Sequence, residues 1–384
     1  MLPIYLDYHA TTPIDPRVAA VLVRNLTETF GNAHSRDHVF GDRAEAVVDT
    51  ARTEVAMLVG AAPADITFTS GSTEAINLAM VGLALQWQAD RRPFRIAVSA
   101  AEHLAVLETA QWLADRNMAT MVILPVTQVA HVELEALESC CAGGLDLACV
   151  MAANNEVGTI TNLTAVSRIL QKYGVLWMCD ATQAAGKMPI TMAPTGPDLL
   201  SLSAHKFYGP KGIGALAVRP GIRLTPLMHG GGHERGLRSG TLNVPSIAAL
   251  GEAARLRRLE MGTDEASIAR LRDSLFEALR NGRPDLIQNG DPTHRLAGNL
   301  HVSFPNLPNQ AIIARVRDRL AISTGSACSS GIEAPSHVLR AMGLSPSVAD
   351  GALRFGLGKF VTSYDVMEAA ALVLDAAQQV EKLL

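Results

Sequence analysis

The sequence predicts an α/β protein, with a large domain built on a mostly parallel, mixed sheet and a smaller α+β domain. Short apolar segments alternate with helical patterns through the first two-thirds of the chain, which is typical of a sheet covered by helices. From about Arg258 the alternation stops. The 384 residues, 48% of them hydrophobic, are enough for two cores. We predict a large domain over residues 16–257 and a small domain formed by residues 1–15 and 258–384.

The predicted strands of the large domain are short and mostly apolar on both faces, as strands buried between helix layers are. They cover residues 66–69, 95–99, 120–124, 146–153, 175–179, 198–202 and 213–218. Apolar residues at three- and four-residue spacing between 44 and 58 predict an amphipathic helix. The region 207–218 resembles a hairpin or an edge strand, which is why we expect a mixed sheet.

The small domain is predicted from a different order of elements. A helical pattern runs through Ile268, Leu271, Leu275 and Leu279. Strands are predicted at 297–304, 321–323 and 352–356, with helices near 336–342 and from Tyr364 onward.

Charge and apolar patterning exclude several classes of protein. The net charge is −4 with no long run of one sign, so nothing favours a nucleic acid or an anionic membrane as partner. No apolar run reaches the roughly 18 residues of a membrane span. The first residues lack the basic and apolar regions of a secretory signal, so a cytoplasmic protein is expected.

One of the five cysteines stands in a setting that suits a reactive thiol. Cys328 lies among small polar residues in the segment 323–331, which we expect to be exposed and mobile. Cys149 and Cys179 lie in apolar segments and are expected to be buried, whereas Cys140 and Cys141 end a helix-like stretch. Their spacing matches no zinc pattern, so no metal site is predicted.

A glycine with hydroxyl residues follows the strand at 66–69 and opens a helix. Gly71, Ser72 and Thr73 offer backbone N–H groups at a helix start, where the helix dipole favours a phosphate. The alternative is an ordinary helix cap with Glu74. No Walker lysine follows.

Lys206 is one of six lysines, and it closely follows a strongly apolar strand. Ser203 and His205 beside it can flank an anion. Desolvation in a pocket would lower the pKa of the amine from its usual value near 10.4 and permit a Schiff base with an aldehyde. The alternative is a surface lysine entering a turn.

Two further polar residues follow predicted strands. Asp180 ends the strand at 175–179, where ligands bind in open α/β sheets, and a pyridinium N–H would give the buried carboxylate a partner. A helix cap is the structural alternative. His103 follows the strand at 95–99 and could stack on a planar ring, although such a histidine is more often structural.

These residues resemble the NifS/IscS group of cysteine desulfurases, in the class V aminotransferase branch of pyridoxal-phosphate enzymes. The similarity covers essentially the full length. It is carried by the segments 5–13, 69–74, 102–103, 154–158, 180–187, 203–214, 229–241, 325–328, 335–339 and 354–358.

The resemblance implies a fold-type I transferase that binds pyridoxal 5'-phosphate. By this similarity Lys206 would bind the cofactor covalently, Asp180 the pyridine nitrogen and Gln183 the ring hydroxyl, with His103 stacked on the ring. Thr73, Ser203 and His205 would hold the phosphate together with the helix start at Gly71 and Ser72. Thr241 would reach the phosphate of the other subunit of a homodimer, and Asn155 and Arg354 would bind the substrate carboxylate.

The implied reaction converts L-cysteine to L-alanine and leaves a persulfide on Cys328, whose ionisation His103 would assist. The sulfur acceptor would be an iron–sulfur scaffold protein or a thiolation enzyme. A selenocysteine lyase or an aminotransferase of the same fold is the nearest alternative, and a catalytically silent binding scaffold is another.

Overall fold

The computed structural model describes residues 3–89, 94–325 and 336–384. Their strands are β1 (Ile4–Tyr5), β2 (Ile66–Thr69), β3 (Arg95–Ser99), β4 (Thr120–Leu124), β5 (Leu147–Cys149), β6 (Leu176–Asp180), β7 (Leu199–Ser203), β8 (Gly214–Val218), β9 (Ile287–Gln288), β10 (Asn299–Ser303), β11 (Leu320–Ala321) and β12 (Ala352–Gly356).

The α-helices of the same residues are α1 (Pro16–Thr27), α2 (Val39–Val59), α3 (Ser72–Ala89), α4 (Leu104–Asp115), α5 (Leu134–Ala142), α6 (Leu163–Tyr173), α7 (Val244–Gly282), α8 (Asn309–Val316), α9 (His337–Ala341), α10 (Pro346–Ala349) and α11 (Ser363–Glu381). Short 3-10 helices lie at Pro63–Asp65, Ala204–Lys206 and Glu234–Gly236. None of the helices described is long and apolar enough to cross a membrane.

The main sheet has seven strands in the order β2-β8-β7-β6-β5-β3-β4. The five strands from β7 to β4 pair in parallel, whereas β8 runs antiparallel to both β2 and β7. This arrangement confirms the predicted mixed sheet. Apolar clusters cover both of its faces, with α2 and α6 on one and α3 and α4 on the other.

The strand predicted at 146–153 is shorter in the structure. The ladder beside β6 continues only through the amides of Val150 and Ala152, which donate to Met178 O and Asp180 O. Asn154 then ends the extended run, because its Oδ1 accepts from the amides of Glu156 and Val157, both at 2.9 Å. The strand was predicted too long because hydropathy does not show that the Asn154 side chain hydrogen-bonds the backbone just after it and turns the chain.

A second core lies under the antiparallel sheet β12-β10-β9 and packs against α8 and α11. The two-residue strands β1 and β9 were not predicted, because elements this short are defined by pairing and not by periodicity. Helix α7 contributes to both cores, with Leu250 in the first and Leu275 in the second. The predicted boundary at residues 257 and 258 therefore falls inside this helix, and the division into domains stays a prediction.

The N-terminal segment connects the two cores across the carboxyl ends of the main strands. Asp7 forms a parallel bridge to Gly356 on β12. The amide of Thr12 then donates to His205 O after β7, at 2.8 Å. This crossing places residues 7–12 over the sheet edge where ligands bind in open α/β folds.

Candidate active site

A cavity of about 410 Å³ lies at the carboxyl ends of β6 and β7, under the N-terminal segment. Its walls come from the loops after these strands, the start of α3, His103 and the second core. Of the predicted site residues it is lined by Ser72, Thr73, His103, Asn155, Asp180, Gln183, His205, Lys206 and Arg354. Residues separated by almost 300 positions in sequence thus share one site.

Lys206 lies in the short 3-10 turn that follows β7. Its Nζ donates to the carbonyls of His9 at 2.7 Å and Ala10 at 2.8 Å. Burial, and then the charge of Arg354, lower the pKa of the Lys206 amine to about 8, with Asp180 among the groups that oppose this shift. The neutral amine needed for attack on an aldehyde is therefore far more populated at pH 7 than in a free lysine. The surface-lysine alternative does not describe this environment.

Asp180 is 6% exposed and ends β6 with its carboxylate held on one side. Its Oδ1 accepts from the amide of Thr182 at 2.9 Å, from the Thr182 hydroxyl, and from Ser201 Oγ at 3.2 Å. Within the described residues Oδ2 has no hydrogen-bond donor. The local cap that the sequence offered as an alternative is thus present on one oxygen, while the other is left for a ligand's N–H.

The start of α3 lines the cavity through Ser72 and Thr73. Its first backbone N–H groups have no acceptor within the helix, as at any helix start. A Cβ built on Gly71 would lie 3.6 Å from Ser203 Oγ, so these two residues adjoin. Glu74 accepts from the amide of Ser70 at 2.7 Å, which realises part of the predicted cap. A cap contact and backbone N–H groups that could bind an anion therefore coexist at this helix.

His205 also lines the cavity, and its ring is neutral. Burial, followed by the charge of Lys206, lowers the pKa of His205 to about 4. Its Nδ1 lies 3.2 Å from Thr11 Oγ1. It would therefore bind a phosphate by hydrogen bonding and not by charge.

His103 caps α4, because its Nδ1 accepts from the amide of Ala105 at 3.1 Å. The neutral ring therefore carries its proton on Nε2. Burial, followed by Lys206 and His337, lowers the pKa of His103, against the opposing effect of Asp180. The side chain caps a helix, as the structural alternative predicted, and it also lines the cavity.

Arg354 on β12 is 5% exposed and is held on two sides. One Nη donates to Asn155 O at 2.8 Å, and the other pairs with Asp7 Oδ1 at 2.8 Å. Its Nε is buried and has no acceptor among the residues that the structure describes. This fork is oriented before any substrate arrives, which suits a carboxylate.

Among the described residues, three predicted site residues do not line this cavity: Gly71, Ser203 and Thr241. Gly71 and Ser203 adjoin each other next to residues that do line it. Thr241 is exposed and contributes nothing to the cavity of its own chain. Cys328 lies outside the described residues, although the described chain reaches the cavity wall at Ser323 and Gly325.

The structure confirms the expectation that Cys149 and Cys179 are buried. Cys149 and Cys179 are fully buried, and burial raises the pKa of both thiols. The pKa of Cys141 is raised to about 11, again first by burial. A thiol that cannot ionise near neutral pH is a poor nucleophile.

Sequence reasoning assigned no role to the N-terminal residues that line the cavity. Asp7 pairs with Arg354, and His9 provides a carbonyl to Lys206 and a ring beside Gln183. Periodicity and spacing do not indicate these contacts of Asp7 and His9. Only the resemblance over residues 5–13 drew attention to the segment.

Comparison with known proteins matches this fold and site to one class. A family model described as aminotransferase class-V matches residues 4–368. A protein named cysteine desulfurase IscS from Anaeromyxobacter sp. (strain Fw109-5) is 44% identical over 384 residues, covering all of this chain and 94% of that protein.

Two solved structures extend the likeness. A NifS-like protein has a TM-score of 0.90 at 34% identity and covers both chains completely. A structure titled SspA in complex with cysteine has a TM-score of 0.81 at 31% identity, with 92% of this chain and 99% of that one covered. The chain belongs to the class-V aminotransferase family and, within it, to the cysteine desulfurases of the NifS/IscS type.

Members of this family depend on pyridoxal 5'-phosphate, and the cavity fits that cofactor. Lys206 offers an amine with a lowered pKa, Asp180 a carboxylate oxygen that has no donor among the described residues, and α3 a helix start suited to phosphate. These groups lie around one cavity of about 410 Å³.

Proposed function

We propose that this protein is a pyridoxal-phosphate-dependent cysteine desulfurase that converts L-cysteine to L-alanine and collects the sulfur as a persulfide on Cys328. The observation that carries the proposal is the placement of Lys206, Asp180 and Arg354 around one cavity. An amine, a carboxylate and a guanidinium there match the aldehyde, the ring nitrogen and the amino-acid carboxylate that the reaction brings together.

Bound pyridoxal phosphate supplies a protonated ring that accepts electron density from the substrate Cα. Lys206 Nζ would hold the cofactor and, once displaced by substrate, move the Cα proton. A pKa of about 8 suits that task, because the amine is then close to half neutral at a slightly alkaline pH. Asp180 Oδ2 would keep the proton on the ring nitrogen, and Gln183 would donate to the ring oxygen.

Substrate selection would rest on Arg354 and Asn155. The Arg354 fork is already oriented by Asn155 O and Asp7, so little side-chain entropy is lost when the α-carboxylate binds. L-cysteine as substrate is supported by the family and by the related protein solved in complex with cysteine.

Sulfur transfer would be carried out by the thiolate of Cys328. It attacks the substrate sulfur, a sulfur–sulfur bond forms, and the carbon–sulfur bond breaks with its electron pair left on carbon. That carbon takes up a proton, which gives alanine. His103, with its proton on Nε2, would stabilise a nearby thiolate by donation. Removal of the thiol proton by His103, as expected from the sequence, would require a change of tautomer and loss of the helix cap.

A homodimer is part of the proposal. Thr241 is exposed in its own chain, as a residue that completes a partner's phosphate site should be. Phe30 and Phe40 lie 67% and 44% exposed and stack on each other with ring centroids 5.4 Å apart. The histidine contact between His34 and His233 joins this aromatic surface to the glycine-rich segment that leads to Thr241. A second copy of the chain would bury both the aromatic surface and the glycine-rich segment.

We further propose a cytoplasmic location and delivery of the persulfide to a sulfur-acceptor protein. An iron–sulfur scaffold and a thiolation enzyme are both compatible with the site. The persulfide chemistry is common to both, so the acceptor is best sought by mass spectrometry of proteins that gain sulfur from the persulfidated enzyme.

The test combines product analysis with two variants. Purified protein with L-cysteine should form alanine and add one sulfur to the Cys328 peptide. Cys328→Ser should keep the visible cofactor absorption and stop sulfur transfer, and Lys206→Ala should lose that absorption. Cys140→Ser, at a partly exposed thiol outside the site, is the matched control. Formation of a keto acid in place of alanine would favour an aminotransferase, and full activity of Cys328→Ser would refute the assignment.

A further inference from the structure

A second lysine lies close behind the cofactor site. Lys187 follows β6 by seven residues, and its Nζ donates to Gln183 Oε1 at 2.8 Å. It does not line the cavity, and no step of the proposed mechanism uses it. Among the described residues, Lys187 Nζ donates to this one side chain, which is expected to touch the cofactor.

The carboxamide of Gln183 is almost fully occupied by protein groups. Its Oε1 also lies 3.0 Å from His9 Nδ1, and its Nε2 donates to His9 O at 2.9 Å. The side chain is 4% exposed. One N–H of the amide is left, so Gln183 can offer its ligand a donor but not a free carbonyl.

Two neighbours determine which way this amide points. A protonated Lys187 can only donate, and the carbonyl of His9 can only accept. Both require Oε1 toward Lys187 and Nε2 toward His9. The ring of His9 is compatible with this orientation of the amide. Burial lowers the pKa of His9, so the ring is neutral and can carry its proton on Nδ1, facing Gln183 Oε1.

We propose that Lys187 is a positioning residue that directs an N–H of Gln183 at the ring oxygen of bound pyridoxal phosphate, and that its charge disfavours proton uptake by the cofactor beside Lys206. The inference rests on the proposed function and deepens it. A donor aimed at the ring oxygen, and a positive charge behind it, both stabilise the oxygen in its negative form. Together they should lower the pH at which the bound cofactor gains a proton.

The charges around Lys187 make its effect on the bound cofactor depend on pH. Burial, and then Lys206, lower the pKa of Lys187 to about 7, with Arg257 and Arg354 acting in the same direction and Glu265 against them. Arg257 pairs with Glu265 at 2.7 Å, and burial raises the pKa of Glu265 to about 7. Above pH 7 an uncharged Lys187 gains a lone pair and no longer dictates the orientation of the amide.

The experiment measures the bound cofactor and not turnover. Wild type, Lys187→Met, Lys187→Gln and the surface control Lys172→Met are loaded with pyridoxal phosphate, and the visible absorption is titrated with pH. Lys172 is exposed and pairs with Glu138 far from the cavity. Lys187→Met should raise the titration midpoint by about 0.5–1 pH unit and weaken cofactor affinity by about three- to tenfold, the loss expected for one hydrogen bond.

Lys187→Gln keeps a donor without the charge and should give a smaller shift than Lys187→Met. In a Gln183→Ala background the Lys187→Met shift should shrink, which a merely structural role would not produce. A Lys187→Met midpoint within about 0.2 unit of wild type, or an undiminished shift without Gln183, would overturn the inference. A wild type that binds no pyridoxal phosphate would instead refute the proposed function.

Discussion

The guanidinium of Arg354 and the carboxylate of Asp7 form an ion pair of 2.8 Å, although the two residues are 347 positions apart in the chain. The pair joins the N-terminal segment to β12 at the wall of the cavity. It also holds the guanidinium in the orientation in which a substrate carboxylate would meet it.

Arg354→Lys should impair substrate binding more than chemistry. Lysine keeps the charge but loses the planar fork, so the bidentate contact to the carboxylate is lost. We expect KM for L-cysteine to rise by about 10–100-fold, with a smaller fall in kcat. Arg319→Lys, at an exposed ion pair with Glu368, is the control. An unchanged KM would remove Arg354 from the substrate site.

The lowered pKa of Lys206 predicts how the apoprotein reacts with aldehydes. Only the neutral amine attacks, so the rate should rise with pH and level off above about pH 8. An exposed lysine such as Lys172 should continue to gain reactivity toward pH 10. Peptide mapping after brief labelling and borohydride reduction at several pH values measures both sites at once. Parallel profiles for the two lysines would contradict the burial argument.

Glu102 should make the folded protein less stable at alkaline pH. It is fully buried, and burial raises its pKa to about 8. Because the folded state holds the proton more tightly than the unfolded state, this contribution is complete below the ordinary pKa near 4.3 and is lost as the pH rises to about 8.

Glu102→Gln keeps an acceptor for the amide of Met151 but has no charge to bury. Its stability relative to wild type should therefore improve between pH 5 and pH 8, by about 1–3 kcal/mol. Urea unfolding at both values measures this difference. Glu108→Gln, at an exposed position of α4, should show no such trend. A constant difference across this range would argue against a protonated Glu102.

The aromatic surface of Phe30 and Phe40 predicts the assembly. Replacing both with Glu should favour the monomer and weaken cofactor binding, since Thr241 of a second copy would no longer reach the phosphate. Met367→Glu, at a 55% exposed position of α11, should leave the assembly intact. Sedimentation velocity with cofactor titration measures both effects. A double variant that remains dimeric would place the interface elsewhere.

Local sequence was sufficient for much of the sheet. The predicted strands at 66–69, 95–99 and 120–124 have the same bounds in the structure, because each is a short run rich in apolar and β-branched residues. The strand at 146–153 was predicted too long, since Asn154 bonds its own backbone where hydropathy continues. Asp180 was singled out because it stands at the end of a buried strand, and Lys206 because it closely follows one.

By itself, the sequence determined the α/β class and the family and pointed to the residues of the candidate cofactor site, because these depend on local periodicity and on motifs that are contiguous in the chain. Only the tertiary structure decided that Asp7 meets Arg354, that His9 and Lys187 enclose Gln183, and that His103 caps a helix with one ring nitrogen. Such contacts depend on how distant segments pack, and hydrogen-bond partners across hundreds of residues leave no periodic signal in the chain.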